Sequence, residues 1–247
     1  MSTSIKHLFA YLLVVSLFTM GIVSCKKKDN ETTGGQQQGN TTLATAPDAI
    51  AEENDKSGGV YKGVLVGSTG YIKITLQNGV QSVEVTMNGV TKTLDMVSFA
   101  PQNWVSGQAV TQAVFEKDNW QVNFSVDADG SNPNVSVVIP GHTNIVATIS
   151  KETSVTQVKS FEGTITYNGT STNSAFNFVI SGQLLVGLGR MPDENTTHSM
   201  VGTVSNGTKI QGHINNATIE GTINGDDATG TIVTPNATAT WNVKRTL

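Results

Sequence analysis

A glycine-centred repeat near the C-terminus narrows the folding options of this chain more than any other feature. Met200-x-Gly202-x-Val204, Ile210-x-Gly212-x-Ile214, Ile219-x-Gly221-x-Ile223 and Ala228-x-Gly230-x-Ile232 follow one another at intervals of nine to ten residues, and Ala239-x-Trp241-x-Val243 closes the series. Side chains alternate across a strand, so each glycine shares a face with its flanking apolar residues, while Thr203, Gln211, His213, Glu220 and Thr222 point the other way. Stacked hairpins then line up a glycine stripe on the inner face. A glycine inside a strand weakens it unless curvature or close approach needs the missing side chain, so something packs there. The indole of Trp241 or another core ring is one candidate, and a bound apolar ligand is the other.

The same parity opens two halves of the chain. Tyr61-x-Gly63-x-Leu65 and Phe161-x-Gly163-x-Ile165 stand one hundred residues apart, and Ala147–Lys151 (ATISK) matches Trp241–Arg245 (WNVKR). We read a duplication, with repeats over 59–152 and 153–247. Upstream of the glycine repeat, Tyr71–Leu76, Ser82–Met87, Trp120–Val126, Asn134–Ile139 and Ile145–Ile149 have period-two or β-rich character. Asn78-Gly79, Asn88-Gly89, Asp129-Gly130 and Pro140-Gly141 separate them as hairpin or turn signals. The fold class is therefore all-β: antiparallel meanders in two tandem halves, each closing on itself or pairing edge to edge with the other into one continuous sheet or barrel. A body that opens on an aromatic-x-Gly motif and ends on a Trp-bearing strand is similar in architecture to lipocalin-like and avidin-like barrels. No motif specific to either family is present, so no binding residue is carried over.

The N-terminus carries an address. Lys6 precedes an uncharged apolar run of sixteen residues, Leu8–Val23, the layout of a secretory signal peptide over residues 1–24. The run ends in Ile22-Val23-Ser24-Cys25, which resembles the lipobox of bacterial lipoproteins. That resemblance implies cleavage before Cys25, acylation of its thiol and new amino group, and attachment to a membrane through the acyl chains. Lys26 stands where an inner-membrane retention signal would place Asp, so the resemblance implies an outer-membrane address, on the periplasmic face or the cell surface. An uncleaved membrane helix is the competing reading. A run of sixteen is not far below the roughly 20 residues that span a bilayer, but Lys26, Lys27 and Lys28 on the side that would be exported oppose that reading. Cys25 is the only cysteine, which rules out an intrachain disulfide or a cysteine metal site.

Residues 25–58 read as a linker. From Asp29 to Gly58 there are few large apolar residues and many Gln, Gly, Thr and acidic ones, so the segment is expected to be a disordered tether. A flexible coil of this length reaches on the order of 30 Å. From Gly59 onward the chain has ten basic and thirteen acidic residues, giving −3, with no basic stripe for a phosphate backbone. Nucleic acid is excluded as a partner.

Candidate chemistry is sparse. Asp127-x-Asp129-Gly130-Ser131 looks like half a calcium loop but lacks the later ligands, and reads as a polar turn; Asp226-Asp227 occupies a similar turn in the second half. Met191–His198 is a polar loop that gathers Asp193, Glu194 and His198, while His142 lies in a turn and His213 on a polar face. No nucleophile elbow or phosphate-cradling loop is present, so we expect no enzyme activity, metal or cofactor. The expectation is a non-catalytic binding module for an apolar or glycan ligand, with Trp104, Trp120, Tyr71 and Tyr167 as available aromatics. The alternative is a structural or adhesive envelope component that contacts other proteins.

Overall fold

The computed structural model describes residues 43–167, 170–171, 174–191 and 196–247. The signal peptide, Cys25, the linker up to residue 42, and Asp193 and Glu194 lie outside them. The first half forms β1 (Gly59–Val66), β2 (Gly70–Gln77), β3 (Val80–Met87), β4 (Val90–Ala100), β5 (Val110–Lys117), β6 (Trp120–Val126), β7 (Asn134–Val138) and β8 (Val146–Glu152). The second forms β9 (Val158–Tyr167), a two-residue β10 (Thr170–Ser171), β11 (Ala175–Ser181), β12 (Leu184–Arg190), β13 (His198–Ser205), β14 (Lys209–Ile214), β15 (Ala217–Asn224), β16 (Asp227–Thr234) and β17 (Ala237–Arg245).

Turn chemistry explains the tight hairpins. Asn78 and Gly79 have φ of 55° and 74°, Asn88 and Gly89 have 49° and 77°, and Asp118 and Asn119 have 49° and 66°. Positive φ at both central residues is the type I′ hairpin geometry, which matches the right-handed twist of the flanking strands. Each half curls into its own antiparallel meander. The second is closed, because β17 returns to β9; the first is nearly closed, because β8 returns to β1 but no ladder joins β7 to β8.

The closure points of the two halves coincide in register. Gly63 stands opposite Ile149 and Tyr61 opposite Lys151; one hundred residues later Gly163 stands opposite Val243 and Phe161 opposite Arg245. A Cβ on either glycine would overlap the backbone carbonyl of the returning strand, at Thr148 or Asn242. Close approach at the closure seam is what the duplicated glycine provides.

The glycine stripe is internal and filled. Gly202 pairs with Gly212 and Gly221 with Gly230 across neighbouring strands. Thr203, Gln211, His213, Glu220 and Thr222 are exposed on the outer face. Trp241 is buried, and its Cζ2 occupies the space that a Cβ on Gly221 or Gly230 would need. Phe176 and Phe178 pack on the same indole with centroids 5.4 and 6.0 Å away. The first barrel is likewise filled, by Tyr61, Phe115, Phe124, Met87 and aliphatic neighbours. Side chains of the core sit on the glycines.

Between the barrels, Val64 of β1 packs with Val158 of β9 and Val179 of β11. Polar bonds cross the same contact. Ser160 Oγ donates to Gly63 O at 3.3 Å, and Asn177 Nδ2 donates to Leu65 O at 2.8 Å.

One expected boundary moves. Residues 43–58, read as part of the tether, are folded onto the barrels. The segment has little apolar surface, but distant residues capture its polar groups. Gln157 Nε2 donates to Ala44 O at 2.8 Å and to Ala46 O at 3.0 Å, and Arg245 also donates to Ala44 O. Asp48 accepts from Lys73 at 2.8 Å, and Lys151 donates to Glu53 O at 2.6 Å. Lys151 and Arg245, the matched cations opposite Tyr61 and Phe161, thus both hold the incoming strap. Composition predicts no core for such a segment, but is silent on partners a hundred residues away.

Candidate functional site

A cleft of about 490 Å³ opens in the seam between the barrels, lined by polar side chains together with Gly163 and Ala175. The first barrel supplies Ser68 and Thr69 from the β1–β2 turn and Asn88 from the β3–β4 turn; the second supplies Glu162 and Thr164 from β9, Ser174 beside β11, and Thr246 from the C-terminal tail. The turns are fixed to one another, since Asn88 N donates to Thr69 O at 2.9 Å. The tail is fixed by Thr246 N, which donates to Ser160 O at 2.8 Å.

Glu162 is the one ionisable residue of this lining. It reaches the cleft because Phe161, Gly163 and Ile165 face the barrel interior, which turns Glu162 and Thr164 outward toward the seam. Thr69 Oγ1 donates to Glu162 Oε2 at 2.6 Å, and Asn177 Nδ2 donates to Thr69 Oγ1 at 3.2 Å. Asn177 Oδ1 in turn accepts from Gly163 N at 3.2 Å, so one amide sets both sides of the seam. Burial pushes the Glu162 carboxyl above its usual range, against the opposing pull of the Thr69 and Thr246 hydroxyls.

A second concavity, of about 280 Å³, lies on β5–β7, where a bulge between Val110 and Ala113 shifts the register. Thr111, Gln112, Asn123, Ser125, Asn134 and Ser136 line it, with no charged side chain.

The residues singled out in the sequence are placed elsewhere. Asp127 accepts from Asn132 Nδ2 at 2.7 Å, and Asp129 accepts from Ser131 N at 2.9 Å, so this acidic stretch is a self-bonded turn. Asp226 accepts from Arg245 at 3.3 Å. Among the described residues, no three His, Cys, Asp or Glu side chains converge as a metal site would require. His142 Nδ1 lies 2.8 Å from Ser68 Oγ, and His198 Nδ1 lies 2.9 Å from Asn215 Nδ2. His213 is exposed on the outer face. Trp104 donates to Gln108 O at 2.8 Å, Trp120 is covered by Lys92 at 5.2 Å, and neither these nor Tyr71 and Tyr167 line the cleft.

Sequence reasoning missed the cleft residues. The available signal was a pair of charges inside the duplicated motif: Lys62 and Glu162 occupy the same outward position one hundred residues apart. Lys62 is neutralised at the barrel contact by Glu152 at 2.7 Å and Asp48 at 3.0 Å, whereas Glu162 is left facing the cleft. No protein-family model, curated protein or solved structure matches this chain.

Proposed function

We propose that this protein is an envelope lipoprotein, held by acyl chains on Cys25 to the outer membrane, whose two-barrel body is a non-catalytic binding module for a glycan. The observation that carries the ligand class is the seam cleft, whose hydroxyls, amide and carboxyl suit a polyhydroxylated ligand. An apolar ligand is disfavoured because Trp241, Phe176 and Phe178 fill the barrel where the glycine stripe would have received it. The non-catalytic reading rests on the same lining. Glycoside hydrolysis ordinarily uses two carboxyl groups across the scissile bond, and among the described residues Glu162 is the one carboxyl of the lining.

A structural or adhesive envelope role is the second reading. It is favoured by the unjoined edges of β7 and β8, which leave backbone groups available to a strand of another protein.

The test is a glycan array probed with the mature lipoprotein in detergent. Selective retention of carbohydrate, weakened by Thr164→Val, supports the binding module. Absence of retention across neutral and charged glycans overturns it in favour of the structural role.

A further inference from the structure

We propose that the seam cleft selects a glycan carrying a free amino group, whose ammonium pairs with Glu162. The inference rests on the glycan reading and adds the charge of the ligand. A charged side chain taken partly out of water is ordinarily paired. Within the described structure Glu162 has hydroxyl partners, Thr69 at 2.6 Å foremost, and no cation within ion-pair distance.

The neighbouring cations are committed or turned away. Lys62, the counterpart of Glu162 in the first barrel, is bound by Glu152 and Asp48. Lys244 stands opposite Glu162 in the β9–β17 ladder but is exposed and forms no ion pair with it. The duplicated position therefore has its counter-charge built into the protein in one barrel and lacks it in the other. The other polar side chains of the lining are hydroxyls and one amide, beside Gly163 and Ala175, and these recognise a sugar without setting its charge. A uronic acid or sialic acid would place like charge against Glu162. An amino sugar supplies both the hydroxyl pattern and the missing cation.

The experiment is calorimetric titration of the mature lipoprotein, in detergent, with chitosan pentamer and with its N-acetylated equivalent, at a pH that keeps the free amines protonated and lies above the folded pKa of Glu162. The two probes share a backbone and differ in charge. The amino form is expected to bind about tenfold or more tightly, as one charge-assisted hydrogen bond provides. Glu162→Gln, which keeps shape and size, should bring the two affinities to within about twofold, with the preference lost in the amino form. Thr164→Val, on β9 at the cleft wall, should weaken both forms alike. Equal affinities in the parent protein, or a preference that survives Glu162→Gln, overturn the amino-sugar assignment while leaving the glycan site standing. Failure of both probes, together with failure of all neutral glycans on the array, removes the glycan reading as well.

Discussion

Lys62 Nζ donates to Glu152 Oε2 at 2.7 Å, with the two side chains only 2% and 0% exposed. The carboxylate also accepts from Val158 N at 2.8 Å and from Asp48 N at 2.6 Å, so one side chain joins β1, the start of the second barrel and the strap. Three chain segments that are far apart in sequence depend on it.

Glu152→Ala leaves two backbone donors without their acceptor and the buried Lys62 ammonium with Asp48 alone, at 3.0 Å. Each buried donor left unsatisfied costs about 1–3 kcal/mol. Urea denaturation of the mature protein should show that loss, with faster proteolysis of residues 43–58. A midpoint equal to that of the parent protein would show that the junction does not depend on this carboxylate.

Gly221→Val puts a branched side chain where Trp241 Cζ2 already lies. Overpacking of this kind costs about 1–3 kcal/mol. Thr222→Ala, one residue along on the exposed face, is expected to stay within about 0.5 kcal/mol. The melting temperature, followed by tryptophan fluorescence, should fall for the first variant only. Equal shifts for the two would contradict the packed stripe.

The local part of this fold was legible. Parity, the glycine register and the Asn-Gly turns depend on neighbours a few residues away, and Gly221, Trp241, Asn78 and Asn88 act as their patterns predict. The duplicated closure was legible through Gly63 and Gly163. The seam was not, because outward residues such as Val64, Ser160, Asn177 and Glu162 gain their roles only when one barrel is laid on the other. The strap was hidden for a similar reason: Ala44 and Asp48 are held by Gln157, Lys62 and Lys73, which no local pattern connects to them.

Acid should act on the body in two opposite limbs. Burial raises the folded pKa of Glu162 above its ordinary 4.5. The folded state therefore binds that proton more tightly, and stability rises as pH falls through the folded pKa, levelling off below 4.5. Asp48 is the reverse. Burial is its largest influence and pushes upward, but hydrogen bonds from Lys73 and Lys62 together hold it below 3.8. Its contribution is present above 3.8 and is lost as pH falls through the folded value. Glu162→Gln should flatten the first limb and Asp48→Asn the second, read as unfolding free energy against pH. A profile unchanged by either substitution would refute the assignment.

Cys25→Ala tests the address independently of any ligand. If the Cys25 thiol carries a diacylglycerol, the variant should lose metabolic labelling by fatty acid and pass from the membrane fraction to the soluble one. Two or more acyl chains hold a protein firmly, at about 0.8 kcal/mol per buried methylene, so partition should change by orders of magnitude. The barrels should be indifferent, because among the described residues the strap is held from Ala44 onward, by Gln157 and Arg245. An unchanged melting temperature with lost membrane association would separate anchor from body. Membrane association that persists without labelling would instead favour an uncleaved apolar helix over Leu8–Val23, with the three lysines after Cys25 on its exported flank.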